Sequence, residues 1–292
     1  MIKSKFNQVL TAVALAVGAV GSANAFVISA GNFKITLDNY DVGNVGYAAT
    51  TGTPCFKNAA ACDLASPGSL AGGVDTAGIF SVALITNSST GAALFTKGTD
   101  GYLTGVFGGL KDQTVDTYCA PVTGVCSTST WSVGGSLSLF LNATDWNPAL
   151  TPTGAGVNLN AGIYPGITSG SLFLSADFAA GAVTAGDTTS TYRSSYSNSD
   201  YAGNGQGFLD VTGGSMGYAF NTNSLTDANG NKRDMFLTVT YDDVNGAASD
   251  LGWTVISAGQ VKGQANSVPE PGAMALIALA LMGAGAATRR KS

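Results

Sequence analysis

The chain has 292 residues and a formal net charge of −5, with 45% hydrophobic and 11% charged residues, four cysteines and no histidine. The missing histidine excludes a Ser-His-Asp triad, a Cys-His pair and any histidine-ligated metal. Between the two ends described below, eight basic residues face seventeen aspartates, a net of about −9. That body has no basic patch to neutralise phosphates, so nucleic acid is excluded as a partner.

The N-terminus reads as a secretory signal peptide over residues 1–25. Lys3 and Lys5 precede an apolar core from Val9 to Val20, and Ala23 and Ala25 form a small-x-small cleavage site. The mature chain then begins at Phe26. Within the body, taken as 26–266, short apolar runs alternate with Gly, Asn, Asp and Ser clusters. Strands are expected at Phe26–Ile28, Phe33–Leu37, Gly78–Thr86, Tyr102–Phe107, Gln113–Tyr118, Ser136–Leu141, Ser171–Ala176, Gly207–Thr212, Met235–Tyr241 and Leu251–Ser257. In the run from Met235, the residues Met235, Leu237, Val239 and Tyr241 share one face. Tight turns are expected at Asn229-Gly230 and Asn245-Gly246. A short helix is expected near Asn142 to Leu150, and the polar stretch Gly181 to Gly205 reads as a long loop. These elements predict an all-β fold, an antiparallel β-sandwich of jelly-roll type with long loops. A β-helix is disfavoured by the lack of a regular repeat.

The four cysteines form two pairs of equal spacing, Cys55 with Cys62 and Cys119 with Cys126. An even count in an exported chain reads as disulfides. Of the three possible connectivities, the two local bridges are favoured, each closing a small loop.

The C-terminus carries Val268, Pro269, Glu270 and Pro271, then an apolar run from Ala273 to Ala287, then Arg289, Arg290 and Lys291. Glu270 is the only glutamate in the chain. The apolar run falls short of the roughly 20 residues of a typical membrane span. Its basic end is expected to stay cytoplasmic. The arrangement resembles the PEP-CTERM sorting signal of Gram-negative bacteria, over residues 267–292. The resemblance implies export, a transient inner-membrane anchor through a C-terminal hydrophobic helix, and processing by exosortase near Pro269 to Pro271. It also implies a final location at the cell surface or in the exopolysaccharide matrix. The stretch from Asp75 to Asp112 is similar to a region of exported PEP-CTERM proteins, some of them linked to flocculation.

Candidate chemistry in the body is sparse. No phosphate loop is present. Asp177, Asp210, Asp242 and Asp243 adjoin strands, but solvated or turn-capping roles explain them, and no catalytic residue is assigned. Asp227, Asn229, Asn231 and Asp234 crowd oxygen ligands near one turn and are candidates for calcium, though a plain hairpin turn is the simpler reading. No other cofactor is expected. Tyr192, Tyr196 and Tyr201, in the expected loop, are candidate glycan contacts, as are Trp131 and Trp146, while Trp253 reads as core. The sequence therefore predicts a non-enzymatic secreted matrix protein, associated with exopolysaccharide and supporting biofilm or floc formation. The alternatives are a calcium-dependent carbohydrate-binding adhesin and an aspartate-based polysaccharide hydrolase.

Overall fold

The computed structural model describes residues 31–43, 76–119, 126–145, 166–197, 202–243 and 255–266. The expected strand at 26–28, the Asn245-Gly246 turn and most of the expected 142–150 helix lie outside them. The described part of that helix, 143–145, is a bend. Strands dominate: β1 (Gly31–Gly43), β2 (Thr76–Asn87), β3 (Ala93–Thr96), β4 (Tyr102–Cys119), β5 (Cys126–Asn142), β6 (Ser171–Phe178), β7 (Tyr192–Ser197), β8 (Gly203–Gly213), β9 (Leu225–Thr226), β10 (Lys232–Arg233), β11 (Met235–Asp243) and β12 (Val255–Ala265). One short helix, α1 (Gly217–Phe220), follows β8.

The expected class is right, and the expected architecture is corrected. Every pairing is antiparallel, but the main sheet is a closed barrel rather than a sandwich. Around the ring the order is β1-β12-β11-β8-β6-β5-β4-β2, and β1 then pairs with β2 to close it. The connections run mostly between sequence neighbours, as in an up-and-down barrel. Period-two patterning cannot separate the two architectures, because both put one strand face inward. The deciding contact is β1 to β2, in which Ile35 faces Ile85 and Leu37 faces Val82.

Two slots of the ring are each filled by two strand pieces. β6 and β7 both run antiparallel to β5 and β8, one after the other. Residues 179–191 are an excursion from that single slot. The expected loop at 181–205 is thus corrected: its second half is β7 and the start of β8. Likewise β3 and β4 share the slot beside β2. Gln113–Tyr118 is no separate strand but the far end of β4, beyond a register shift at Asp112/Thr114.

The interior holds Phe33, Ile35 and Leu37 of β1, Leu209 and Val211 of β8, Met235, Leu237 and Val239 of β11, and Val261 of β12, all buried. Eight strands leave an interior that side chains alone can fill. Glycines on the inner face make room for larger neighbours. A Cβ on Gly105 would meet the ring of Phe80 and lie 2.6 Å from the Ser138 carbonyl oxygen. A Cβ on Gly205 would overlap the hydroxyls of Tyr192 and Tyr241. One end of the barrel is plugged by Phe220 of α1. Its ring meets Phe33 edge-on at 4.9 Å and lies 6.3 Å from Phe173.

The outer face of β2 and β4 is covered as well, since Ile79 and Thr104 there are fully buried. Thr104 donates its hydroxyl to the Ile167 carbonyl at 2.9 Å, and the Asn142 amide donates to Thr104 Oγ1 at 2.8 Å and to the same carbonyl at 3.1 Å. This clamp fixes residues 166–170 against the wall. Replacing Gly105 with Ala should destabilise the fold by about 1–3 kcal/mol, since the Ser138 backbone cannot yield freely. A lowered urea midpoint with an unchanged slope is the expected reading.

Candidate functional site

The best-built polar cluster joins the 179–191 excursion to the β9–β10 hairpin. Asn229-Gly230 forms the expected turn, with the Gly230 N–H donating to the Asp227 carbonyl at 3.1 Å. β9 and β10 pair beside it, Thr226 with Lys232 and Leu225 with Arg233. The Asp227 side chain is fully buried. Its Oδ1 accepts the N–H groups of Asn229 and Asn231 at 2.9 Å each, and its Oδ2 accepts Arg233 Nε at 2.8 Å. Arg233 also donates Nη1 to Asp210 at 2.7 Å and Nη2 to the Ala180 carbonyl at 3.1 Å.

Asn229 faces the other way. Its amide N–H group donates to the carbonyls of Gly181 and Asp187, and its Oδ1 accepts the Gly186 N–H at 2.8 Å. Arg233 and Asn229 therefore strap the excursion to the hairpin. Asp187 organises the excursion from within, accepting the N–H groups of Thr189 at 2.8 Å and Ser190 at 3.1 Å.

The four calcium candidates do not share one site. The oxygens of Asp227 are engaged by backbone amides, the Asn231 side chain and Arg233. Asp234 is turned toward α1 and β8. It accepts the N–H groups of Thr222 and Asn223 at 2.7 Å each and that of Val211 at 2.8 Å. Among the described residues, no three His, Cys, Asp or Glu side chains are grouped to hold a metal ion. These oxygens have satisfied structural roles, and the turn residues that suggested a ligand set serve as hairpin and strap.

The charges in this cluster follow from its geometry. Burial works against the Asp227 carboxylate, but the Arg233 guanidinium and the N–H groups of Asn231 and Asn229 outweigh it, so the carboxyl stays below its ordinary range. The hydroxyl of Ser190 and the amide of Thr189 bring Asp187 down to about 2. Arg233 is disfavoured by burial, yet its two aspartate partners raise it further above its already high value.

The tyrosine candidates are divided. Tyr192 is corrected: it is 8% exposed and points into the barrel. It packs edge-on against Phe178 at 5.7 Å and shares a hydroxyl hydrogen bond with Tyr241. Tyr196 is half-buried on β7. Tyr201, Trp146 and Trp253 lie outside the described residues. Around Tyr192 the lumen is polar: Thr130 and Ser194 share a hydrogen bond of 2.5 Å, and Ser132 donates to Asp112 at 2.8 Å. The tyrosine was misread because a polar, glycine-rich neighbourhood looks like a loop. The strand shows only in the structure, where buried Tyr192 and Ser194 alternate with half-buried Arg193 and Ser195.

Asp177 and Asp210, two of the strand-adjacent aspartates, are opposite one another across β6 and β8. Arg233 takes Asp210. The roles of Arg233 and Asp187 escaped the sequence reading, because their partners are distant or lie in the misread loop.

The hydrophobic tail and the signal-peptide residues Ala23, Ala25 and Phe26 lie outside the described residues, as do Val268, Pro269, Glu270, Pro271, Arg289 and Arg290. Among the described residues, no helix is long and apolar enough to cross a membrane. Cys55 and Cys62 also lie outside them. No disulfide is formed among the described side chains, which do not include those of Cys119 and Cys126. Those two residues face each other at the ends of β4 and β5.

This is an antiparallel β-barrel whose polar cluster braces the fold. Its address is at the end of the chain, where residues 267–291 match the PEP-CTERM protein-sorting motif. The motif marks the chain as an exosortase substrate, exported to the cell envelope or surface. No curated protein and no solved structure matches the chain.

Replacing Arg233 with Met should cost about 3 kcal/mol, because it leaves Asp227 buried without its cation; a urea denaturation series measures this. Acid should act in the same direction. Both aspartates are depressed in the fold, so their stabilisation is complete above about pH 4, the ordinary aspartate value. It is lost as pH falls below that value, for Asp187 toward about 2. Amide exchange in the 179–191 excursion should quicken over that window, relative to β11.

Proposed function

We propose that the protein is a non-enzymatic component of the extracellular matrix, held among exopolysaccharide and supporting biofilm or floc formation. The sorting motif at 267–291 carries this reading. Export would begin with removal of residues 1–25. The tail would hold the chain briefly in the inner membrane of a Gram-negative cell, until exosortase acts near Pro269 to Pro271. The body supports the reading in two ways. Its hydroxyls and carboxylates at the polar end of the lumen are paired with one another, as a scaffold requires. Its walls β8, β11 and β12 are apolar inside and polar outside, the reverse of a lipid-facing barrel.

Two local disulfides complete the proposal. Directly opposed residues of an antiparallel pair have Cα atoms about 4.5–5.5 Å apart, within the span of a disulfide. Cys119 and Cys126 hold that relation. The bridge would pin the turn end of the β4–β5 hairpin.

Intact mass of the protein recovered from the matrix tests the processing. The expected chain begins at Phe26, ends near the Pro-Glu-Pro, and gains two hydrogens per bridge on reduction. A chain retaining Ala273 to Ser292 would make it a membrane-anchored protein instead. Co-sedimentation with the producing strain's exopolysaccharide tests the association, and a chain left wholly in the supernatant would defeat it.

A further inference from the structure

We propose that the outer wall formed by β1, β12, β11, β8 and β7 binds an acidic polysaccharide, its carboxylates met by Lys34, Lys262 and Arg193. The proposal deepens the exopolysaccharide reading above and rests on it.

The register assembles this wall from residues far apart in sequence. One row across it runs Phe208, Phe236, Lys262, Lys34. The next runs Trp131, Arg193, Gln206, Thr238, Gln260, Thr36. All are outward residues, alternating with the buried inner set.

Three features of these rows bear on what the wall can bind. First, Lys34 and Lys262 are direct partners across β1 and β12. Like charges so placed destabilise a sheet, and neither lysine has an ion pair among the described residues. Second, Arg193 lies over the Trp131 ring at 5.2 Å and likewise has no ion pair there. The chain carries more acids than bases, so cations on one wall without acidic partners await an anion from outside. The acids on this face lie off the two rows: Asp38 is four residues beyond Lys34 on β1, Asp242 is six residues beyond Phe236 on β11, and Asp210 of β8 is taken by Arg233. Third, aromatic rings flank the cations. Phe208 and Phe236 pack at 4.7 Å, and Trp131 edges the second row.

The chemistry matches one class of occupant. Guanidinium and ammonium groups bind carboxylates by charge-assisted hydrogen bonds. Gln206 and Gln260 offer both donors and acceptors to sugar hydroxyls, and aromatic rings offer apolar faces to sugar C–H groups. The rows lie on a sheet wall, where an extended chain can cross several strands. A uronate-bearing polysaccharide supplies carboxylate, hydroxyl and C–H faces in repeating order.

The test measures binding of the processed protein to polygalacturonate and to neutral dextran at two salt concentrations. The wild-type chain should bind polygalacturonate, weaken with salt, and ignore dextran. The double change Lys34→Gln and Lys262→Gln should lower that affinity about tenfold or more, as should Arg193→Gln. Both variants should stay folded: the double lysine change should melt at or slightly above the wild type, because it removes a like-charge pair, and Arg193→Gln slightly below it, because it loses the contact with the Trp131 ring. Absence of polygalacturonate binding, equal binding to dextran, or full affinity in both folded variants would each overturn the proposal. Co-sedimentation with native exopolysaccharide separates the two readings. If wild type and variants sediment alike, matrix association stands and this wall is not its site. If none sediments, the association itself fails.

Discussion

Closure of the sheet through β1 is the constraint on which the rest depends. β1 pairs with β12 on one side and with β2 on the other, so a chain with many strand-forming runs ends without an open edge on the main ring. An open edge would offer unpaired N–H and C=O groups to any neighbouring chain. Closure removes that hazard for a protein exported into a crowded surface layer. It also sets the curvature, and curvature decides which inner positions can bear a side chain. Gly105 and Gly205 are where they are because Phe80, Tyr192 and Tyr241 fill the space a Cβ would take.

The barrel is continuous only because its irregular parts are tied down. Residues 179–191 leave the β6–β7 slot, and Arg233 and Asn229 strap them to a hairpin of the following segment. Asp234 does the same for the backbone after α1. In each case a polar side chain, the Arg233 guanidinium, the Asn229 amide or the buried Asp234 carboxylate, takes up backbone groups that have left the ladder, and such groups are costly if left unpaired. The aspartates of this acidic chain are therefore used partly as internal anchors. That explains why a turn dense in Asp and Asn holds its own backbone.

The two walls of the barrel have different characters for the same reason. The β2–β4 wall is covered outside by residues 166–170, through the Thr104–Asn142 clamp. The β8–β11–β12 wall is exposed and polar, with aromatic rings and unpaired cations brought into rows by register. A sorting motif accounts for where the protein goes.

Several things were legible from sequence because they depend on neighbours in the chain. The Pro-Glu-Pro motif with its basic end, the Asn229-Gly230 turn and the strands around Gly78–Thr86, Ser171–Ala176 and Met235–Tyr241 all rest on local pattern. The inward face of Met235, Leu237, Val239 and Tyr241 followed from alternation alone. Tertiary structure decided what alternation cannot encode. Whether strands close into a barrel or stack as a sandwich depends on β1 meeting β2. That pairing joins residues about 45 positions apart, across a connection whose length says nothing of its path. Whether Tyr192 faces a glycan or the core depends on β7 sharing a slot with β6. Whether Asp227 holds a metal or a guanidinium depends on where Arg233 lands. Side-chain periodicity is a property of the local backbone, whereas partner choice is settled by closure of the whole ring, which no single segment contains.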